Sequence, residues 1–239
     1  MNSIRRMYRV AACCLTAMLL TAIVPIAQAQ GDGPNFINLR LIEVHADKVS
    51  EFEELMKQRS AAEAEAGERF NHVFQRLRGV LNGYLIVSPG DGSDTVEVDL
   101  PDSWGPSMSQ AIKNHTRVTA AVGPRTMTNG PVEPNGEYLY VRLRTVQPGK
   151  VAAYRDWQDN KLIPALREEG VGDVRSAKVV LGGNPATFVR FAFMDDWPGA
   201  GVGGGGPLAG VLAEESAMLA TSQNLFYRVR DDLSFTASD

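Results

Sequence analysis

Arginine alternates with apolar side chains along several extended stretches of this sequence. In Tyr140-Val141-Arg142-Leu143-Arg144 the phenol ring and both guanidinium groups fall on one face, while Leu139, Val141 and Leu143 fall on the other. Arg190 alternates with Val189 and Phe191, Arg228 and Arg230 with Tyr227 and Val229, and Arg40 with Leu39 and Leu41; Arg76 and Arg78 flank Leu77. Few acids share these stretches. A guanidinium group taken out of water needs a partner, and a bound carboxylate or phenolate is one. The candidate ligand-binding residues are therefore Arg40, Arg142, Arg144, Arg190 and Tyr140. If the apolar face meets helices, the arginines look into the space between two sheets. The alternative is that acids from loops or from the other half of the chain neutralise them, or that they line a wet rim.

The three histidines, His45, His72 and His115, all lie in the first half of the chain. An imidazole can relay a proton near neutral pH or bind a metal. Neither H-x-x-x-H nor H-x-x-E-H occurs, and no metal site is expected. His115 and His45 are the candidate proton carriers, with Tyr84 as a neighbouring phenol; partly exposed polar residues without a role are the plain alternative. Gly199-Ala200-Gly201-Val202-Gly203-Gly204 has the form G-x-G-x-x-G, but Asp195-Asp196-Trp197-Pro198 intervenes after the preceding strand and adds negative charge. A flexible loop is expected there rather than a pyrophosphate site. No G-x-S-x-G, phosphate-loop or metalloprotease motif occurs, and no cofactor is expected.

Arg5, Arg6 and Arg9 precede an apolar run from Val10 to Ile26, which ends in Ala27-Gln28-Ala29. That is the pattern of a secretory signal peptide over residues 1–29, cleaved after Ala29. Arg9 stands where a twin-arginine signal wants an apolar residue, and Cys13 precedes the apolar run rather than following it, so ordinary secretion without lipidation is expected. Cys13 and Cys14 are the only cysteines and leave with the signal. The mature chain then has no disulfide and no thiolate nucleophile. It keeps 21 of the 24 basic side chains and all 28 acids, a net charge of −7. This balance argues against nucleic acid and anionic membrane as partners. A monomer or homodimer, periplasmic or extracellular and without a stable membrane anchor, is expected.

The elements that must hold these residues repeat. Arg40-Leu41-Ile42-Glu43-Val44 corresponds to Arg142-Leu143-Arg144-Thr145-Val146, Lys48-Val49 to Lys150-Val151 and Phe52 to Tyr154, all 102 positions apart. Strands are expected at 36–44 and 138–146, near 73–79 and 84–88, and at 174–181 and 187–193. Helices follow the first strand of each half, with Val49, Phe52, Leu55 and Met56 on one face of the first and Val151, Tyr154 and Trp157 on one face of the second. Second helices are expected at about 107–121 and 208–221, and last strands at 125–128 and 225–230. Residues 95–100 alternate well enough to compete as the third strand. Each half thus reads β-α-β-β-α-β. The expectation is an α+β protein: one ferredoxin-like unit over 30–131, a linker at 132–137 and a second unit over 138–239, with their two four-stranded sheets packed face to face.

That order, doubled, resembles the dimeric α/β-barrel superfamily, which includes antibiotic-biosynthesis-monooxygenase-like, NIPSNAP-like and EthD-like proteins. Asp102-Ser103-Trp104 and Asp195-Asp196-Trp197 look like its acidic-aromatic step into the second helix, and Glu215 stands about where the first half has His115. The resemblance implies that Asn38, Trp104 and a helical His115 are similar to the asparagine, tryptophan and helix histidine that some members use on haem or a phenolic substrate. The leading expectation is an exported, cofactor-free protein that binds a small anionic or aromatic molecule between its sheets. A cofactor-independent oxygenase or isomerase using a histidine as proton carrier, and an assembly module without ligand, are the alternatives.

Overall fold

The computed structural model describes residues 35–90, 98–122, 136–168, 174–195 and 206–237. The first half comprises β1 (Asn35–Val44), α1 (Val49–Glu65), β2 (Phe70–Arg76), β3 (Gly83–Pro89), α2 (Trp104–Ala111) and β4 (Ile112–Val122). In the second half, β5 (Tyr138–Val146) leads to α3 (Val151–Trp157), which passes through a π turn at Gln158–Leu162 into α4 (Ile163–Glu168). Then come β6 (Val174–Leu181), β7 (Thr187–Met194), α5 (Gly206–Ser216), β8 (Leu219–Val229) and a two-residue β9 (Phe235–Thr236).

Two stacked sheets do not form. The strands run in the order β3-β1-β4-β6-β7-β5-β8-β2, and β2 pairs with β3 to close the ring. All pairings are antiparallel. Two of them join the halves: Ala120 and Ala121 of β4 stand opposite Val179 and Lys178 of β6, and Phe74 and Gln75 of β2 opposite Val229 and Arg228 of β8. This closed eight-stranded barrel overturns the expectation of two ferredoxin-like units with sheets packed face to face. Closure satisfies the edge strands that two separate sheets would leave open.

Two element boundaries also differ from expectation. α2 ends at Ala111, where Ile112 turns extended at φ −84°, ψ 124°. β4 then occupies 112–122, so that stretch is strand rather than helix, and the expected strand at 125–128 lies outside the described residues. Ile112, Thr116, Val118, Thr119 and Val122 are β-branched, which suits a strand better than a helix. α5 likewise stops at Ser216 before β8 begins at Leu219. The glycine run 199–204, the apolar N-terminal run, both cysteines, residues 95–97 and most of the expected linker fall outside the described residues. Among the described residues no helix is long and apolar enough to cross a membrane.

The alternation of β1, β5 and β7 is present, but its faces are the other way round. One core cluster takes Ile37 and Leu39 from β1, Phe74 from β2, Leu85 from β3, Leu139 and Val141 from β5, Val179 from β6, Phe191 from β7 and Leu225 and Tyr227 from β8. It contains no helix residue, so it is the barrel interior. Two further clusters lie outside, between strands and helices: Ile42, Phe52, Met56, Tyr84 and Met108 in the first half, and Val146, Tyr154, Trp157, Leu166 and Phe188 in the second. The arginines that alternate with the interior set therefore face the helices. An eight-stranded barrel is just wide enough to be filled by side chains, and the cations that share this interior do so against rings: Arg175 lies over Phe193 and Arg76 stands opposite Tyr227. The helix layer is open at its edges, where a long guanidinium side chain can still reach a partner or solvent.

Candidate functional site

Arg142 on β5 stands directly opposite Arg190 on β7, with Arg144 one pleat further along the same face. Three cations so close need a counter-charge. Glu215 supplies it from the last turn of α5. Its Oε1 accepts from Arg190 Nη2 at 3.1 Å, and its Oε2 lies 3.4 Å from both Arg144 Nε and Arg142 Nη2. Tyr154 of α3 donates its hydroxyl to Glu215 Oε1 at 2.8 Å. Arg144 also donates to the carbonyls of Leu143 and Gln223 and to Asn224 Oδ1 at 2.8 Å. Burial works against the charge on Glu215, but the fields of Arg190, Arg142 and Arg144 outweigh it and hold the carboxyl below its ordinary range. The Tyr154 phenol is pushed well up, first by burial.

The three arginines are not equally committed. Arg144 and Arg190 are almost wholly buried and hydrogen-bonded, whereas the Arg142 side chain keeps 17% of its surface and touches Glu215 only at 3.4 Å. Its Nε–H is buried without an acceptor, as is that of Arg190. The Arg142 guanidinium carbon lies 5.9 Å from the Tyr140 ring centre, Tyr140 stacks on Phe226 at 4.6 Å, and the Arg78 guanidinium lies 5.2 Å over Phe226. Two stacked rings bracketed by two cations thus run along the outer face of β5 and β8. The structure brings together Tyr140, Arg142, Arg144 and Arg190 of the expected binding residues. Arg40 belongs to the other half.

The expected catalytic residues do not converge. His115 is an exposed residue of β4 rather than a helix residue, which removes the likeness to a helix histidine. Ile42 pairs with His115 on one side and with Tyr84 on the other, so an isoleucine stands between the imidazole and the phenol. Tyr84 instead donates to Glu53 Oε1 at 2.7 Å, and Arg230 is hydrogen-bonded to the same carboxylate. His45 is exposed at the start of a 3-10 turn. His72 is inside the barrel, stacked on Phe70 at 4.9 Å, and burial lowers its pKa to about 4. The three imidazoles, two on the surface and one packed inside the barrel, do not meet at a common centre. Among the described residues no cluster of metal-ligating side chains occurs.

A separate open cleft of about 570 Å³ lies between α3 and α5, lined by Trp157, Met218, Asp156, Lys161 and Glu214 among others. It holds two carboxylates against one ammonium, and Lys161 is already paired with Glu214 at 2.6 Å. Nothing there draws an anion. Reading the sequence misses Glu53 as the partner of Tyr84 and Arg230. It places Glu215 on its helix without foreseeing that it neutralises the arginines. A lone pair of acids, Glu214-Glu215, at the end of an otherwise apolar helix was the available signal.

No family model and no curated protein matches this sequence. Solved structures do match. An anthrone oxidase-like protein superposes with a TM-score of 0.63 at 13% identity, over 87% of this chain and 95% of that one. A protein provisionally named a monooxygenase, from Fusobacterium nucleatum, gives 0.62 at 13% identity over 82% and 93%. A chlorite dismutase variant from Candidatus Nitrospira defluvii gives 0.53 at 9% identity over 84% and 93%. The chain shares the fold of these proteins. At these identities the likeness is one of fold, and one fold hosts different chemistries, so function has to be argued from the site.

Proposed function

We propose that this protein is an exported binding protein for a small aromatic anion, held on the outer face of the second half of the barrel. Export rests on the charged, apolar and small-residue succession of the first 29 residues. One observation carries the binding reading. Arg142 lies against the stacked Tyr140–Phe226 pair, is only weakly tied to Glu215 and keeps a buried donor unused. A planar ligand can lie against the rings while its carboxylate or phenolate takes the spare N–H of Arg142. Glu215 leaves Arg142, Arg144 and Arg190 with two positive charges in excess, which favours an anion over a neutral ring. Tyr140, Arg142, Arg144 and Arg190 stand on the face of β5 and β7 opposite the interior cluster, so the ligand is placed outside the barrel and not between sheets. Calorimetric titration with benzoate, 1-naphthoate and cyclohexanecarboxylate tests this. The aromatic acids bind more tightly than the saturated one, and Arg142→Met abolishes binding with little change in melting temperature. No binding by the parent protein, together with a large loss of stability in Arg142→Met, makes the cluster purely structural.

A second reading has one observation in its favour. The neighbours named as a monooxygenase and an anthrone oxidase-like protein favour oxygen chemistry, and a proton taken from an aromatic substrate needs a base. Burial and the neighbouring charges of Arg40 and Arg117 lower the pKa of His115, which favours the proton-accepting form of its imidazole. Oxygen uptake in the presence of anthrone, lost in His115→Ala, supports this reading; its absence in the parent protein removes it.

A further inference from the structure

Two pairs of arginines face each other across neighbouring strands on the outside of this barrel: Arg142 with Arg190, and Arg40 with Arg117. Like charges directly opposite one another destabilise a sheet. The first pair has a built-in counter-ion in Glu215. The second has none: among the described residues no carboxylate comes within ion-pair distance of Arg40 or Arg117. Glu63, the acid whose field reaches Arg40, is spent on Arg59 at 2.6 Å. The other charges around Arg40 are cations, Arg59 and Arg117. Arg40 Nε–H is buried and has no acceptor. His115 lies two residues from Arg117 on the same face of β4, and both are exposed.

We propose that Arg40, Arg117 and His115 form a binding site for a small tetrahedral oxyanion of the phosphate or sulfate class. Two guanidinium groups and an imidazole on adjacent strands present donors from three positions. A small tetrahedral oxyanion, whose acceptor oxygens point in four directions, can use them together, whereas the two oxygens of a carboxylate lie in one plane. Arg117 and His115 face solvent, so the ion enters without displacing packed side chains. The strand beneath is held in place from its other edge. Gly182, at φ +77° in the turn after β6, sits so close that a Cβ there would lie 2.5 Å from the Arg117 carbonyl oxygen. The bound ion does for this pair what Glu215 does for the other. The site stands apart from the aromatic platform, and it holds whether or not His115 carries out chemistry.

Calorimetric titration of the protein with sodium sulfate, against sodium chloride at matched ionic strength, tests the assignment. One sulfate binds per chain. Arg117→Gln, at an exposed position where folding is not at stake, and Arg40→Gln each weaken it by about ten- to a hundredfold, the size of a lost charge-assisted hydrogen bond. Arg228→Gln, an exposed arginine paired with Glu137 on the other half, leaves it unchanged. Inorganic phosphate and phenyl phosphate, titrated in parallel, separate a free anion from an ester as the preferred form. Arg142→Met retains sulfate binding, so this site and the aromatic-anion reading fail separately. No sulfate binding by the parent protein, or binding that survives both Arg117→Gln and Arg40→Gln, overturns the proposal.

Discussion

Arg190 donates from Nη2 to Glu215 Oε1 at 3.1 Å, and this contact ties α5 to the outer face of β7. Replacing Glu215 by Gln leaves Arg190, Arg144 and Arg142 facing one another without a counter-charge. Breaking a buried pair on one side costs about 3–5 kcal/mol. Thermal denaturation of Glu215→Gln is expected to show a loss of that order, and Tyr154→Phe a smaller one of about 1 kcal/mol for a single hydrogen bond.

The same carboxylate sets an acid dependence. The folded-state pKa of Glu215 is depressed, so its contribution is present above the unfolded value of about 4.3 and is lost as pH falls through the folded one. Stability followed by denaturant unfolding should decline below that unfolded value in the parent protein, and Glu215→Gln should remove part of the decline. Equal slopes in the two proteins would show that Glu215 is not held low.

His115 faces Arg40 and Arg117, while Arg59 and Glu63 on α1 surround Arg40. Its pKa lies below the ordinary imidazole value, with burial as the first cause and the two arginines next. A bound oxyanion screens those cations and raises it. NMR titration of the imidazole should show a low midpoint in chloride and an upward shift in sulfate. Sulfate does not itself titrate between pH 5 and 8, so its affinity should rise as pH falls through the His115 range. Arg117→Gln should raise the midpoint in chloride.

Which side of β1 is inside the barrel can be read from two neighbouring substitutions. Leu39 is buried in the interior and Arg40 faces the helices. Leu39→Ala should cost about 2–5 kcal/mol by leaving a cavity. Arg40→Leu should be close to neutral or stabilising, because it removes a like-charge repulsion on the sheet surface. The reverse order of melting temperatures would return the arginines to the interior.

The N-terminal succession of charge, apolar run and Ala27-Gln28-Ala29 is expected to be removed on export. Mass spectrometry of the protein recovered from the envelope or medium should give a chain starting at Gln30. A recovered chain that still carries Cys13 and Cys14 would sink the export reading.

Much of the local structure was legible in the residues alone. β5 occupies Tyr138–Val146 and β6 Val174–Leu181, as period-two alternation and β-branched content indicate, because a strand's two faces meet different surroundings. α1 buries Phe52, Leu55 and Met56, the residues that helical spacing puts on one side. The grouping of Tyr140, Arg142 and Arg144 on one face follows from the same parity. Alternation states that two faces differ, but not which of them is the more enclosed. That was decided by β4 meeting β6 and β2 meeting β8, pairings between residues far apart in sequence that close the ring. Closure put the apolar set in the barrel interior and turned Arg40, Arg142, Arg144 and Arg190 outward to the helices, while Arg76 and Arg175 stand on the interior side. The turn from helix to strand at Ile112 has the same origin. Its β-branched residues lean toward a strand locally, and hydrogen bonding along β1 fixes it as one. Only the packed structure shows that Glu215 reaches one arginine pair while the other, Arg40 and Arg117, has no acid of its own among the described residues, because ion pairing depends on distances between elements that no spacing along the chain encodes.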